Sequence, residues 1–170
     1  MHHYFAYGSN MFVQRIRQPD RAPSAVPIST ASLPGYRLYF HKRSVRDGSG
    51  KCNIVQTRLP GDEVHGVLFE LTAGNVGDLD AAEGLKRGYD RREIEVLASS
   101  GWQKAFTYVA QRHFVVQALR PYHLYKDFVV AGADEHVLPS TYRMGLRAVR
   151  SDPDPDSSRD RAARQILRLS

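Results

Sequence analysis

Tyr4-Phe5-Ala6-Tyr7-Gly8-Ser9-Asn10-Met11 is the stretch from which the fold follows. Tyr4 to Tyr7 is a short aromatic run suited to the core of a strand, Gly8 permits a tight bend, and Ser9 or Asn10 can cap a helix over Met11 to Arg17. A strand that turns this sharply into a helix leaves backbone N–H groups free at the helix start. Those amides, reinforced by the helix dipole, suit a carboxylate or a developing oxyanion. The same corner also serves as a plain structural joint, and local pattern alone does not separate the two roles.

Beyond the corner, Pro19 to Pro34 holds four prolines among Ser and Ala, which predicts an irregular surface connection. Gly35 to Ser44 alternates Tyr36, Leu38 and Phe40 with Arg37, Tyr39 and His41, the period of a half-buried strand. Asp47-Gly48-Ser49-Gly50 turns the chain into a return strand over Cys52 to Leu59, and Pro60-Gly61-Asp62 turns it again into an apolar strand over Val64 to Leu71. Tyr89 to Ala98 and Trp102 to Ala110 form a hairpin around Ser99-Ser100-Gly101. With the opening run these make six strands, curled into a small sheet. Pro121 opens a helix with the stripe Tyr122, Tyr125 and Val129 that ends at Gly132, and Pro139 opens another with Tyr142, Leu146 and Val149. The spacer Asp152-Pro153-Asp154-Pro155-Asp156 precedes a terminal helix capped by Ser158, with Ala162, Ile166 and Leu169 on one side. The division expected is a main domain over residues 1–150 and a tail over 151–170.

One further helix carries the most informative side chain. Thr72 can cap it and Gly84 end it, which places Val76, Leu79 and Glu83 at i, i+3 and i+7 on one stripe. Glu83 therefore points inward with the apolar residues. Burial and the negative end of the helix dipole both favour its protonated form, which suits acid–base work. A frayed helix end with Glu83 in water is the alternative.

The remaining composition excludes more than it suggests. The 170 residues fit one compact domain, and no apolar run approaches the ~20 residues that cross a bilayer. The polar-aromatic start lacks the apolar core of a signal peptide, and the single Cys52 cannot form an internal disulfide, so a cytoplasmic location is expected. A net charge of +6 invites nucleic acid, yet the basic residues are scattered and no recognised binding motif accompanies them. Attraction for small acidic substrates remains compatible with that charge. Seven histidines show no metal-ligand spacing, and neither phosphate-binding glycine pattern occurs. Ser9 lacks the flanking residues of a nucleophile elbow, and Cys52 reads as a packing residue.

Two segments together resemble a known family. Tyr4 to Met11 resembles the opening signature of the gamma-glutamylcyclotransferases, and Leu79-Asp80-Ala81-Ala82-Glu83-Gly84 resembles their segment carrying the catalytic glutamate. Pro60 to Val64 before Gly66-Val67, and Tyr125-Lys126 leading to Gly132-Ala133 and Leu138-Pro139, are similar in content and order, so the resemblance spans Tyr4 to Val149. It implies an α+β fold, a small mixed six-stranded β-barrel flanked by short helices. It also implies cyclisation of a small-molecule gamma-glutamyl substrate to 5-oxoproline with release of an amine, without metal or other cofactor. Glu83 would be the catalytic acid and base. Tyr4, Phe5, Ala6, Tyr7, Gly8, Ser9, Asn10 and Tyr125 would bind substrate. Gly88-Tyr89-Asp90-Arg91-Arg92 also echoes the glutathione-specific cyclotransferases, whereas Asn10 favours the group acting on gamma-glutamyl amino acids. A non-catalytic binding module on the same fold is the rival from another class.

Overall fold

Alternating side chains and turn residues account for most of the strands in the computed structural model, which describes residues 1–168. The strands are β1 (His2–Ala6), β2 (Val26–Pro34), β3 (Tyr36–Arg43), β4 (Gly50–Gln56), β5 (Glu63–Leu71), β6 (Tyr89–Ala98) and β7 (Gly101–Ala110). The helices are α1 (Val13–Ile16), α2 (Ala73–Glu83), α3 (His123–Glu135), α4 (Ser140–Ala148) and α5 (Ser157–Leu167). Five strands close a barrel in the order β1-β5-β2-β6-β7, while β3 and β4 form a separate two-stranded sheet. Every barrel contact is antiparallel except the closing one, where β1 lies parallel to β7 with Tyr4 opposite Phe106.

The expected six-stranded barrel is thus a five-stranded one, and two corrections explain it. The strands expected over Gly35 to Ser44 and Cys52 to Leu59 form, but as a separate two-stranded sheet with Tyr36 facing Gln56. The proline-rich connection expected over Pro19 to Pro34 contains β2. Proline lacks the N–H that a ladder needs, so it is tolerated only at bulges, edges and ends. Pro27 sits where the register against β5 shifts, and Pro34 is the last residue of the strand. Between them Ala31, Ser32 and Leu33 are buried.

Phe5, Val67, Leu68, Phe69 and Val96 fill the core, all essentially inaccessible to water. Fully burying one such Leu or Phe side chain contributes about 1.5–3 kcal/mol. Inside the barrel the Thr107 hydroxyl donates to the Phe5 carbonyl at 2.8 Å, tying β7 to β1.

Helix ends depart from the sequence reading in instructive ways. Thr72 makes no side-chain cap, but Gly84 does end α2, in the left-handed conformation at φ +70°. There Leu85 N–H reaches the Asp80 carbonyl at 2.8 Å, closing the helix end as glycine stops do. Helix α3 does not stop at Gly132 but runs on to Glu135. A Cβ at Gly132 would stand 2.5 Å from Phe12 N and 2.6 Å from Met11 Cβ, so this glycine exists for close approach to the opening corner. In the tail, Asp156 rather than Ser158 caps α5, accepting from Ser158 N–H at 3.0 Å and Arg159 N–H at 3.2 Å. That helix packs on α3 and α1. Leu169, expected on its inner side, lies outside the described residues. Among the described residues no helix is long and apolar enough to cross a membrane.

Candidate active site

The corner after β1 forms, though not as one helix. Ser9–Met11 make a single 3-10 turn, Phe12 is extended at ψ 116°, and only Val13–Ile16 are α-helical. Ser9 and Asn10 therefore cap nothing through their side chains. Gly8 has φ −121°, which any residue adopts, so its value is again spatial. A Cβ there would lie 3.1 Å from Cys52 Cβ and 3.3 Å from the Tyr125 hydroxyl. Of the opening run, Tyr4, Tyr7, Gly8, Ser9 and Asn10 line a narrow pocket together with Tyr125 and Glu83. Phe5 and Ala6 do not line it; their side chains lie in the barrel core.

Glu83 reaches that pocket because α2 buries Val76 and Leu79 on the same stripe. Its carboxylate is 19% exposed, and one of its two oxygens is held twice. Asn10 Nδ2 donates to Glu83 Oε1 at 3.0 Å, and Arg21 Nη1 donates to the same oxygen at 2.8 Å. Arg21 Nη1 also donates to Asn10 Oδ1 at 3.0 Å, and Asn10 Nδ2 reaches the Tyr4 hydroxyl at 3.2 Å. Four side chains from β1, the corner, the loop before β2 and α2 thus lock one another. Glu83 Oε2 has no hydrogen-bond partner among the described residues, and the Glu83 side chain lines the pocket.

Arg21 was missed by the sequence reading. A lone arginine in a proline-rich stretch carries no motif, and a surface loop was the expectation. Yet Arg21 is only 8% exposed, and its neighbours Ala22 and Ala25 are fully buried. Those two small apolar residues were the available sign that the loop folds inward. The guanidinium gives Glu83 a charged partner at 2.8 Å that the sequence reading did not anticipate.

Five tyrosines make the pocket wall, and Tyr89 and Tyr108 among them were not expected there. The Tyr7 hydroxyl donates to the Tyr108 carbonyl, Tyr89 donates to the Cys52 carbonyl at 2.6 Å, and Tyr108 donates to Asp80 Oδ1 at 2.7 Å. Tyr125 accepts from Cys52 N–H at 3.0 Å. Burial pushes the pKa of all five phenols above the ordinary value, so the wall is neutral. Burial also pushes the Cys52 thiol up to about 12, which leaves it protonated and a poor nucleophile. The one carboxylate on this wall is Glu83. Among the described residues no group of three or more His, Cys, Asp or Glu is placed to hold a metal ion.

One inward carboxylate beside the Gly8–Asn10 corner and a neutral phenolic wall make an arrangement suited to moving protons rather than to supplying a nucleophile. Comparison with known proteins agrees with that description. Residues 4–128 match the family model described as gamma-glutamyl cyclotransferase, AIG2-like. The chain is 37% identical over 151 residues to gamma-glutamylcyclotransferase of Mus musculus, covering 86% of this chain and 77% of that one. It is 33% identical over 167 residues to the Bos taurus protein of the same name, covering 96% and 84%. A solved structure titled gamma-glutamyl cyclotransferase superposes with a TM-score of 0.80 at 31% identity over 91% of both chains. A match of this extent in sequence and in fold places the chain in the AIG2-like gamma-glutamylcyclotransferase family.

Proposed function

We infer that this protein is a gamma-glutamylcyclotransferase that folds a gamma-glutamyl compound on itself. The substrate's α-amine attacks its own γ-carbonyl, closes a five-membered ring as 5-oxoproline and expels an amine. Because the nucleophile belongs to the substrate, the protein has three tasks: holding the bent chain, relaying protons and stabilising the oxyanion. The observation that carries this reading is the contact between Glu83 and Asn10 at 3.0 Å, which brings the carboxylate of α2 to the opening corner.

Glu83 is assigned the proton relay. Oε1, fixed by Asn10 and Arg21, orients the group, and the unpartnered Oε2 takes a proton from the attacking nitrogen. The same oxygen returns it to the leaving nitrogen as the old C–N bond breaks, so the protons shed by one nitrogen end on the other. Ser9 and Asn10 N–H, which have no acceptor within the turn by geometry, are assigned to the substrate's carboxylate or oxyanion. Tyr7 and Tyr125 wall the bent chain, with Tyr4 positioning Asn10. This is small-molecule chemistry in the cytoplasm, with no role for nucleic acid and none for a metal or cofactor.

The test is to incubate the purified protein with gamma-glutamyl-alanine, glutathione and a gamma-glutamyl amine and to measure 5-oxoproline. Turnover of at least one is expected, and Glu83→Gln should lose at least ~10²-fold in rate while melting like the parent. Undiminished cyclisation by the variant would remove Glu83 from its role. Failure on all three substrates would favour the non-catalytic binding module.

A further inference from the structure

The narrow pocket opens into a cleft of about 590 Å³ that shares Ser9, Glu83, Tyr89 and Tyr125 with it. A substrate whose γ-carbonyl lies beside Glu83 must place its leaving half there, and the volume is that of an ordinary ligand site. The cleft wall is strongly cationic. Its acids Glu83 and Asp47 are already engaged by Arg21 and Lys51, both at 2.8 Å. Among the described residues, Arg15, Lys42, Arg46 and Arg87 make no ion pair, against Asp20 alone on the acidic side.

Lys42 is the unusual member. It extends from β3 and is only 5% exposed. Its ammonium lies 4.6 Å from the centre of the Tyr89 ring and 5.6 Å from that of Phe114, with no carboxylate or hydrogen-bond acceptor in reach among the described residues. A Cβ at Gly88 would fall 2.8 Å from Nζ, so the glycine leaves space for the ammonium. Burial lowers its pKa while Glu83 acts to raise it. Arg15 is similarly short of partners. Its guanidinium stacks 4.5 Å above the Phe128 ring, and its Nε is buried without an acceptor. Aromatic rings hold a cation in place without neutralising it, so both groups keep their attraction for an anion.

Resting on the cyclotransferase reading, we propose that the cleft selects gamma-glutamyl compounds whose leaving half carries a carboxylate beyond the one beside its amine nitrogen, with Lys42 as the principal contact. The substrate class is then gamma-glutamyl conjugates of acidic amino acids and acidic peptides. The arriving carboxylate supplies the partner that Lys42 lacks, and a charge-assisted bond in a confined cleft is of the stronger kind.

The decisive pair is gamma-glutamyl-glutamate and gamma-glutamyl-glutamine, which match in shape and differ by one charge. At low ionic strength kcat/KM should favour the glutamate conjugate by about tenfold or more, and that ratio should shrink as salt is raised. Lys42→Met keeps the buried stem and should pull the ratio to within about threefold of one, and Lys42→Arg should restore most of it. A wild-type ratio near one overturns the proposal, as does a folded Lys42→Met protein that keeps the parent ratio. If Lys42→Met does not fold, a wild-type ratio unchanged by salt has the same force. Equal turnover of both conjugates removes only the selectivity. No 5-oxoproline from either of them or from gamma-glutamyl-alanine removes the cyclotransferase reading and the proposal with it.

Discussion

The inner pocket and the outer cleft adjoin, yet they are built on opposite terms. In the pocket the phenols are neutral and tied to fixed partners, four of the five are buried, and its one carboxylate is clamped through a single oxygen. In the cleft, cations outnumber the acids that could balance them, and two lean on aromatic rings instead. Satisfied groups give rigid geometry, which a proton relay needs. Unsatisfied charges give attraction without fixed geometry, which suits admission of varied leaving halves. On the proposed reading, reaction and selection fall to separate layers that meet at Glu83.

The sharpest way to break this division is to unclamp the carboxylate. Arg21→Met should lower kcat by about 10²-fold, because Glu83 Oε1 loses its charged donor and the relay its orientation. Stability should fall by about 2–3 kcal/mol, since buried polar groups lose a charged partner. Steady-state kinetics and denaturant titration report the two losses separately, and an unchanged kcat would show that Asn10 alone positions Glu83. Gly8→Ala adds a methyl at 3.1 Å from Cys52 and 3.3 Å from Tyr125, and should raise KM about tenfold by narrowing the pocket. A normal KM would mean that the wall yields.

On the cleft side the expected effects are smaller. Lys51, Ser49 and burial set the Asp47 carboxyl, with the two hydrogen-bonding partners outweighing burial and holding it at about 2. A carboxyl lowered on folding contributes stability above its unfolded pKa, and that contribution disappears as pH falls through the folded value. Asp47→Asn should therefore cost on the order of 1 kcal/mol near pH 7, and the difference from the parent should close between about pH 4 and pH 2. A gap that persists below pH 2 would assign the loss to shape rather than charge. The smallest effect is a null one: Cys52 in the folded protein should resist alkylation at pH 8, and rapid modification would contradict a thiol buried in a neutral wall.

Glu83 was legible because its position follows from helix periodicity, and α2 ends at Gly84 as turn chemistry dictates. The opening run was legible as a strand followed by a corner. What escaped is the stretch between them. Prolines masked β2, since their usual meaning is irregular backbone and the bulge that accommodates Pro27 has no local signature. Arg21 escaped with it, because the partners that make it important lie 11 and 62 residues away. Glycines 8 and 132 were read as conformational signals, but their role is to admit neighbours from distant parts of the chain. Periodicity reports which face turns inward, whereas what that face meets depends on closure of the barrel.

That closure also fixes an order of events. β1 is the first strand to be made, and its parallel partner β7 is the last, with Tyr4 waiting for Phe106. Until β7 is available the barrel has an open edge along β1, and the Thr107 bond to Phe5 cannot form. During synthesis the barrel therefore cannot close until about a hundred residues after Tyr4 have been added. Such long-range pairing slows folding, so refolding should be limited by the meeting of the first and last strands rather than by any helix.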